Sequence, residues 1–209
     1  MSKLFKNKYR IESTRLQNWD YGSEAAYFIT ICTADRKHFF GEIKNGEMIL
    51  SEIGKIAEKE WLNTFELRKD MNLIQEAFVV MPDHFHAIIR IGKNEFNSRK
   101  QESSQSKNIS STVSMHRDST VHRDSTVHQD LESSQSKNKF GPQSKNLASI
   151  MRGFKSAVTI QARRINSKFA WQSKFHDHII RDSIAFYRIE QYIINNPRKW
   201  QEDKLHKNT

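Results

Sequence analysis

Cysteine is almost missing from this sequence. Cys32 is the one cysteine among 209 residues, which excludes an internal disulfide and leaves any metal site to histidine, carboxylate or amide ligands. Cys32 lies in an apolar stretch and reads as a small buried hydrophobe. Long apolar runs are also missing, and none approaches the ~18 residues that a membrane-spanning helix needs. The opening MSKLFKNKYR has no apolar core, so no secretory signal is expected. A reducing cytoplasm is the expected compartment, with no membrane association. Acidic residues are in deficit, 24 against 34 lysines and arginines, for a formal net charge of +10. That excess points to a polyanionic partner.

Large apolar residues all but vanish between Asn97 and Asn146, and what replaces them repeats. RDSTVH stands at 117–122 and again at 123–128, ESSQSKN at 102–108 and 132–138, and QSKN returns at 143–146. A structural repeat needs an apolar face to stack on its neighbour. The RDSTVH units carry one valine each, too little to offset the entropy of ordering. Residues 97–146 are therefore expected to form a disordered low-complexity insertion. His116, His122 and His128 recur through repeat expansion and receive no role. The flanking pieces, 1–96 and 147–209, are expected to form one domain together.

The first piece reads as strands, a hairpin and a helix. AAYFITICTA (25–34) is aromatic and β-branched, Asn45-Gly46 sits between two short apolar runs, and LIQEAFVVM (73–81) and HFHAIIRI (84–91) flank Pro82-Asp83. Ser51 opens a helix whose apolar positions include Ile53, Ala57, Trp61 and Phe65. The second piece opens with a helix at 147–166, with a stripe from Leu147 through Phe154 to Ile165. A last helix begins near Asp182 and stops near Asn196-Pro197, because proline lacks the N–H and crowds the preceding turn. The order implies an α+β fold: an antiparallel sheet with helices packed mainly on one face.

Within VVMPDHFHAII, His84 and His86 are two apart, so in a strand they share a face while Phe85 points away. Two readings fit: a pair of nitrogen ligands for one divalent ion, or interior histidines with hydrogen-bond partners. His176-Asp177-His178 has the same pattern, but it sits in a mixed segment just before a helix, where no strand is expected to align the rings. Asp177 or His178 remains a candidate to line the site. A metal on two histidines wants a third ligand, and the last helix offers Asn196 as an amide oxygen. Tyr192 lies four residues earlier, about 40° away around the helix, whereas Tyr187 lies about 180° from Asn196 and cannot serve the same site. Helical spacing alone also fits Tyr192 as a tyrosine at the core edge.

YFITICTADRKHFFGEI, FVVMPDHFHAIIRI, KFHDHIIRD and YIINNPRKW, in this order, resemble the single-tyrosine HUH transposases, in the branch of REP-associated tyrosine transposases. The His-hydrophobic-His motif is matched by His84-Phe85-His86, and the late tyrosine before Asn-Pro by Tyr192 before Asn196-Pro197. The repeat-rich insertion departs from the family pattern. The resemblance implies a ferredoxin-like catalytic domain that nicks and transfers single-stranded DNA, with hairpin-forming DNA as its partner. It also implies Tyr192 as nucleophile, His84, His86 and Asn196 as metal ligands, and Mg²⁺ or Mn²⁺ as cofactor. Ligand type alone also admits Zn²⁺, Ni²⁺ or Co²⁺.

Candidate DNA contacts are Lys8, Arg10, Arg15, Arg152, Lys155, Arg163, Arg164, Arg198 and Lys199, with Tyr9, Trp19 and Trp171 as stacking candidates. Two other readings stand beside the transposase: a DNA-hairpin binding protein of the same fold without turnover, and an unrelated metal-dependent phosphohydrolase. Neither monomer nor homodimer is selected by the sequence.

Overall fold

The computed structural model describes residues 15–16, 19–98 and 144–200. Its strands and α-helices are β1 (Ala25–Cys32), β2 (Gly41–Lys44), β3 (Glu47–Leu50), α1 (Glu52–Glu66), β4 (Leu73–Val80), β5 (His84–Ile91), α2 (Leu147–Ile165), β6 (His176–Ile180) and α3 (Ser183–Asn195). Strands β4-β5-β1-β6 lie in that order, every neighbouring pair antiparallel, and β2-β3 form a separate hairpin. Asn45 and Gly46 turn the hairpin with φ of 53° and 76°, the double left-handed geometry that Asn-Gly favours. No helix among the described residues is long and apolar enough to cross a membrane.

Side-chain alternation divides the sheet into two faces. Tyr27, Ile29 and Ile31 of β1 and Phe85, Ala87, Ile89 and Ile91 of β5 point to the main core. There they meet Ile53, Ala57 and Trp61 of α1 and Ile150, Met151, Phe154 and Val158 of α2. Ser51 caps α1 by accepting from the Gly54 N–H at 3.1 Å, and Asn146 caps α2 by accepting from the Ser149 N–H at 3.0 Å. Helix α3 covers the other face, where Ile193 and Ile189 pack with Ile88, Phe28 and Val79. The fold is thus α+β with two of these helices on one face, as the segment order implies.

Three expectations change. His176–Ile180 is a strand, pairing with β1 from Ala26↔Ile180 to Thr30↔His176. Its polar alternation hides the strand, and pairing with a strong neighbour overrides local composition. The boundaries of the insertion also move inward. Asn97 is buried and donates to the Gly92 carbonyl at 3.0 Å. Asn146, last residue of the third QSKN, is the α2 cap, and Lys145 before it pairs with Asp70 and lies 4.7 Å from the Phe96 ring centre. The expected disorder of 99–143 lies outside the described residues. Lastly, Cys32 is half-buried rather than buried, and its sulfur accepts from Arg36 Nη1 at 2.8 Å.

Candidate active site

The Pro82-Asp83 turn sets the first histidine. Its backbone is held on two sides: the Asp83 carbonyl accepts from Thr33 N–H and Oγ1, each at 2.9 Å, and the Pro82 carbonyl accepts from Phe40 N–H at 3.0 Å. The chain then enters β5 with Phe85 turned into the aromatic core, its ring 5.1 Å from Trp61 and 5.2 Å from Phe154. Burying such a ring is worth roughly 1.5–3 kcal/mol, so the middle residue of the motif locks the register that presents His84 and His86 to the opposite face.

Both imidazoles are buried, with ring centres 4.5 Å apart. His84 Nδ1 lies 2.6 Å from Asp83 Oδ1. A carboxylate only accepts, so that nitrogen carries a proton and the contact fixes the orientation of the ring. Arg36 Nε pairs with Asp83 Oδ2 at 3.0 Å. Asp35 and Arg36 both adopt left-handed backbone (φ 53° and 54°), a conformation that costs roughly 1–2 kcal/mol per residue. His86 Nδ1 contacts Thr30 Oγ1 at 2.8 Å, and its Nε2 contacts the Tyr192 hydroxyl at 3.2 Å. Burial, and then the neighbouring His84, hold the His86 pKa well below its ordinary value, so the ring is a neutral donor at pH 7.

Helix α3 brings the other groups over the pair. Tyr192 packs on His86 with ring centres 5.2 Å apart and meets Phe28 edge-on. Trp200, eight residues later, stacks on His84 at 5.9 Å and meets His38 edge-on. Asn196 is four residues from each. Its side chain is buried, and Oδ1 has no hydrogen-bond partner. An orphaned buried acceptor is costly, roughly 1–3 kcal/mol, and such an oxygen fits a hard cation. Two imidazoles with engaged Nδ1 atoms and one amide oxygen are donor types that a divalent ion accepts. Tyr187, by contrast, is 63% exposed on the same helix.

The basic candidates divide. Lys8, Tyr9 and Arg10 lie outside the described residues. Arg15 pairs with Asp177 at 3.4 Å and lies over the Phe175 ring. Lys155 donates to the Gln172 and Ser173 carbonyls, and burial lowers its pKa. Arg163 Nε donates to the Phe169 carbonyl at 3.0 Å. Trp171 packs among Phe40, Phe154 and Phe169, and Trp19 donates to the Tyr27 hydroxyl. These five side chains have partners within the fold, and Arg163 is exposed besides. Arg152, Arg164, Arg198 and Lys199 are exposed.

Asp83, Arg36, Thr30 and Trp200 are not among the sequence-derived site residues. Asp83 alone carried a legible signal, a carboxylate next to a candidate ligand histidine.

No family model matches the chain. An uncharacterized protein of Haemophilus influenzae is 32% identical over 198 residues, spanning 93% of this chain and 92% of its own length. The chain belongs to one family with it. Among solved structures, that of a REP-associated tyrosine transposase bound to a REP hairpin is similar, with a TM-score of 0.51 and 16% identity over 93% of this chain and 77% of the other. The fold of this family member is therefore that of a REP-associated tyrosine transposase.

Proposed function

We propose that the chain is a transposase that nicks and rejoins single-stranded DNA through Tyr192. The observation that carries this reading is the Tyr192 hydroxyl, 3.2 Å from His86 Nε2 and on the helix face of the buried, unsatisfied Asn196 amide. In this mechanism Tyr192 Oη attacks the scissile phosphorus and loses its proton to solvent, which reaches the 43%-exposed side chain. The P–O3′ bond breaks, a 5′-phosphotyrosine forms, and the strand leaves with a 3′-hydroxyl. Because a phenol has an ordinary pKa near 10, the tyrosyl oxygen is a better leaving group than an alkoxide, and a 3′-hydroxyl can reverse the step without ATP.

His84, His86 and Asn196 would hold Mg²⁺ or Mn²⁺. Such an ion, when bound, supplies positive charge to the phosphoryl oxygens as negative charge develops there. Asp83 and Thr30 engage the two Nδ1 atoms and so would leave Nε2 of each ring for such an ion, and Trp200 stacks on the His84 ring. Hairpin-bearing DNA is the proposed substrate, in keeping with the hairpin carried by the similar transposase structure.

The test is incubation with labelled hairpin-bearing single-stranded DNA and Mn²⁺, read on a denaturing gel. A covalent protein–DNA adduct is expected from the wild type and from Tyr187→Phe, and none from Tyr192→Phe. Binding without any adduct would instead indicate a hairpin-binding protein without turnover. Cleavage that survives Tyr192→Phe would indicate a metal-dependent phosphohydrolase.

A further inference from the structure

Among the described residues, the face that carries His84 and His86 is only half covered. Helix α3 packs against β4 and β5, and its Tyr192 stands at the border, leaning on His86 and Phe28. Beyond that border lie β1 and β6. Thr30 is the register partner of both His86 and His176, so these three side chains form one row across three strands. Phe28 is the partner of both Ile88 and His178, which gives the next row. His176 and His178 are both exposed, while Asp177 between them turns to the other face and meets Arg15. With strands about 4.8 Å apart, His176 stands about 10 Å from His86. The residues that share this face on β1, β5 and β6 include no carboxylate: Ala26, Phe28, Thr30 and Cys32, then His84, His86, Ile88 and Arg90, then His176, His178 and Ile180.

We propose that His176 and His178 are the backbone contacts of the substrate strand, binding phosphates next to the scissile one along the open β1–β6 half of the sheet. The inference rests on the nicking role of Tyr192 and adds where the strand runs. A phosphate placed between Tyr192 and the His84–His86 pair has α3 on one side, and among the described residues the open face for the polymer runs over β1 toward β6. A row of imidazoles suits that path. Each ring presents an N–H donor that can turn to a phosphate oxygen, and its face can take a neighbouring base. Arg181, exposed just past the strand, extends the same edge. Both histidines are solvent-exposed and lie outside both core clusters, so their rings are accessible to a ligand.

The experiment uses the full chain carrying Tyr192→Phe, which cannot be consumed by adduct formation. Its probe is a fluorescein-labelled, hairpin-bearing single-stranded oligonucleotide, followed by anisotropy. Replacing both histidines (His176→Gln with His178→Gln) is expected to weaken binding roughly tenfold, the loss of two hydrogen bonds of ordinary strength. The control Lys168→Gln is expected to leave it unchanged. With Tyr192 restored, the double replacement is expected to raise KM and leave kcat nearly constant. As a measurement independent of substitution, carbethoxylation of His176 and His178, read by peptide mass spectrometry, is expected to slow when the oligonucleotide is bound. Unchanged affinity together with unprotected histidines overturns this inference alone. A parent protein that binds no single-stranded DNA, with a wild type that forms no adduct, overturns the nicking role itself.

Discussion

At the scale of single residues, Asp83 would decide how His84 meets the proposed cation. Its carboxylate orients the imidazole on one side and is held by Arg36 on the other. Outer partners of this kind usually tune metal affinity by about 10–100-fold. Asp83→Asn is therefore expected to weaken Mn²⁺ binding by about that factor, read by paramagnetic resonance of free Mn²⁺ without any DNA present. Equal affinity in the variant would remove Asp83 from the metal-holding role. Tyr27 makes a different prediction. Burial pushes its pKa up to about 12, against an ordinary value near 10. Between those values the folded chain holds a proton that the unfolded chain has lost, so stability falls as pH rises through the window. The full contribution is present below about pH 10, and the loss is roughly 2–3 kcal/mol by the upper end. Urea midpoints measured from about pH 8 to 11 should drop, and Tyr27→Phe should flatten the drop.

At the scale of elements, α1 sits unusually close to the chain leading into the hairpin. A Cβ on Gly54 would lie 2.2 Å from the Phe40 carbonyl oxygen, a backbone atom that also accepts the Ser51 N–H. Gly54→Ala gains about 1 kcal/mol of helix propensity, but it must push the helix off its seat, at a typical overpacking cost of about 1–3 kcal/mol. A lower Tm is expected, and a higher one would show that the contact yields. The elements also show what a sequence can disclose. The strand His84–Ile91 is legible as a short apolar, β-branched run between turn residues, buried on both faces, and the helix from Leu147 because its buried residues repeat at the helical period. Strand β6 is not, because its five residues begin His-Asp-His and its conformation comes from β1 alongside. Helix geometry within one short segment puts Tyr192 on the face of Asn196, and the family resemblance is what puts that face beside the histidines. The Arg36–Asp83 pair is not legible, because its partners are far apart in sequence and Arg36 owes its aim to two left-handed residues, Asp35 and Arg36, of types that any turn contains.

At the scale of the whole molecule, the polar tract leaves and re-enters the domain at one place. Phe96 lies under the Lys145 ammonium, and Asn97 and Lys145 both border Gly22. Replacing residues 99–143 by a short Gly/Ser linker therefore bridges neighbouring points. Each halving of a loop saves roughly 0.6 kcal/mol of closure entropy, so the shortened chain should melt no lower than the parent and still form the DNA adduct. A deletion that unfolds the protein would show that the tract packs on the domain.

That place of exit lies beyond Ile91, at one end of β5, and His84 begins the other end, about 24 Å away at ordinary strand rise. A six-residue unit such as RDSTVH is encoded in frame, so copying slippage can add or remove units without a frameshift. A change in the number of units is therefore expected to alter the length of the tract and leave the His84 end of the sheet untouched.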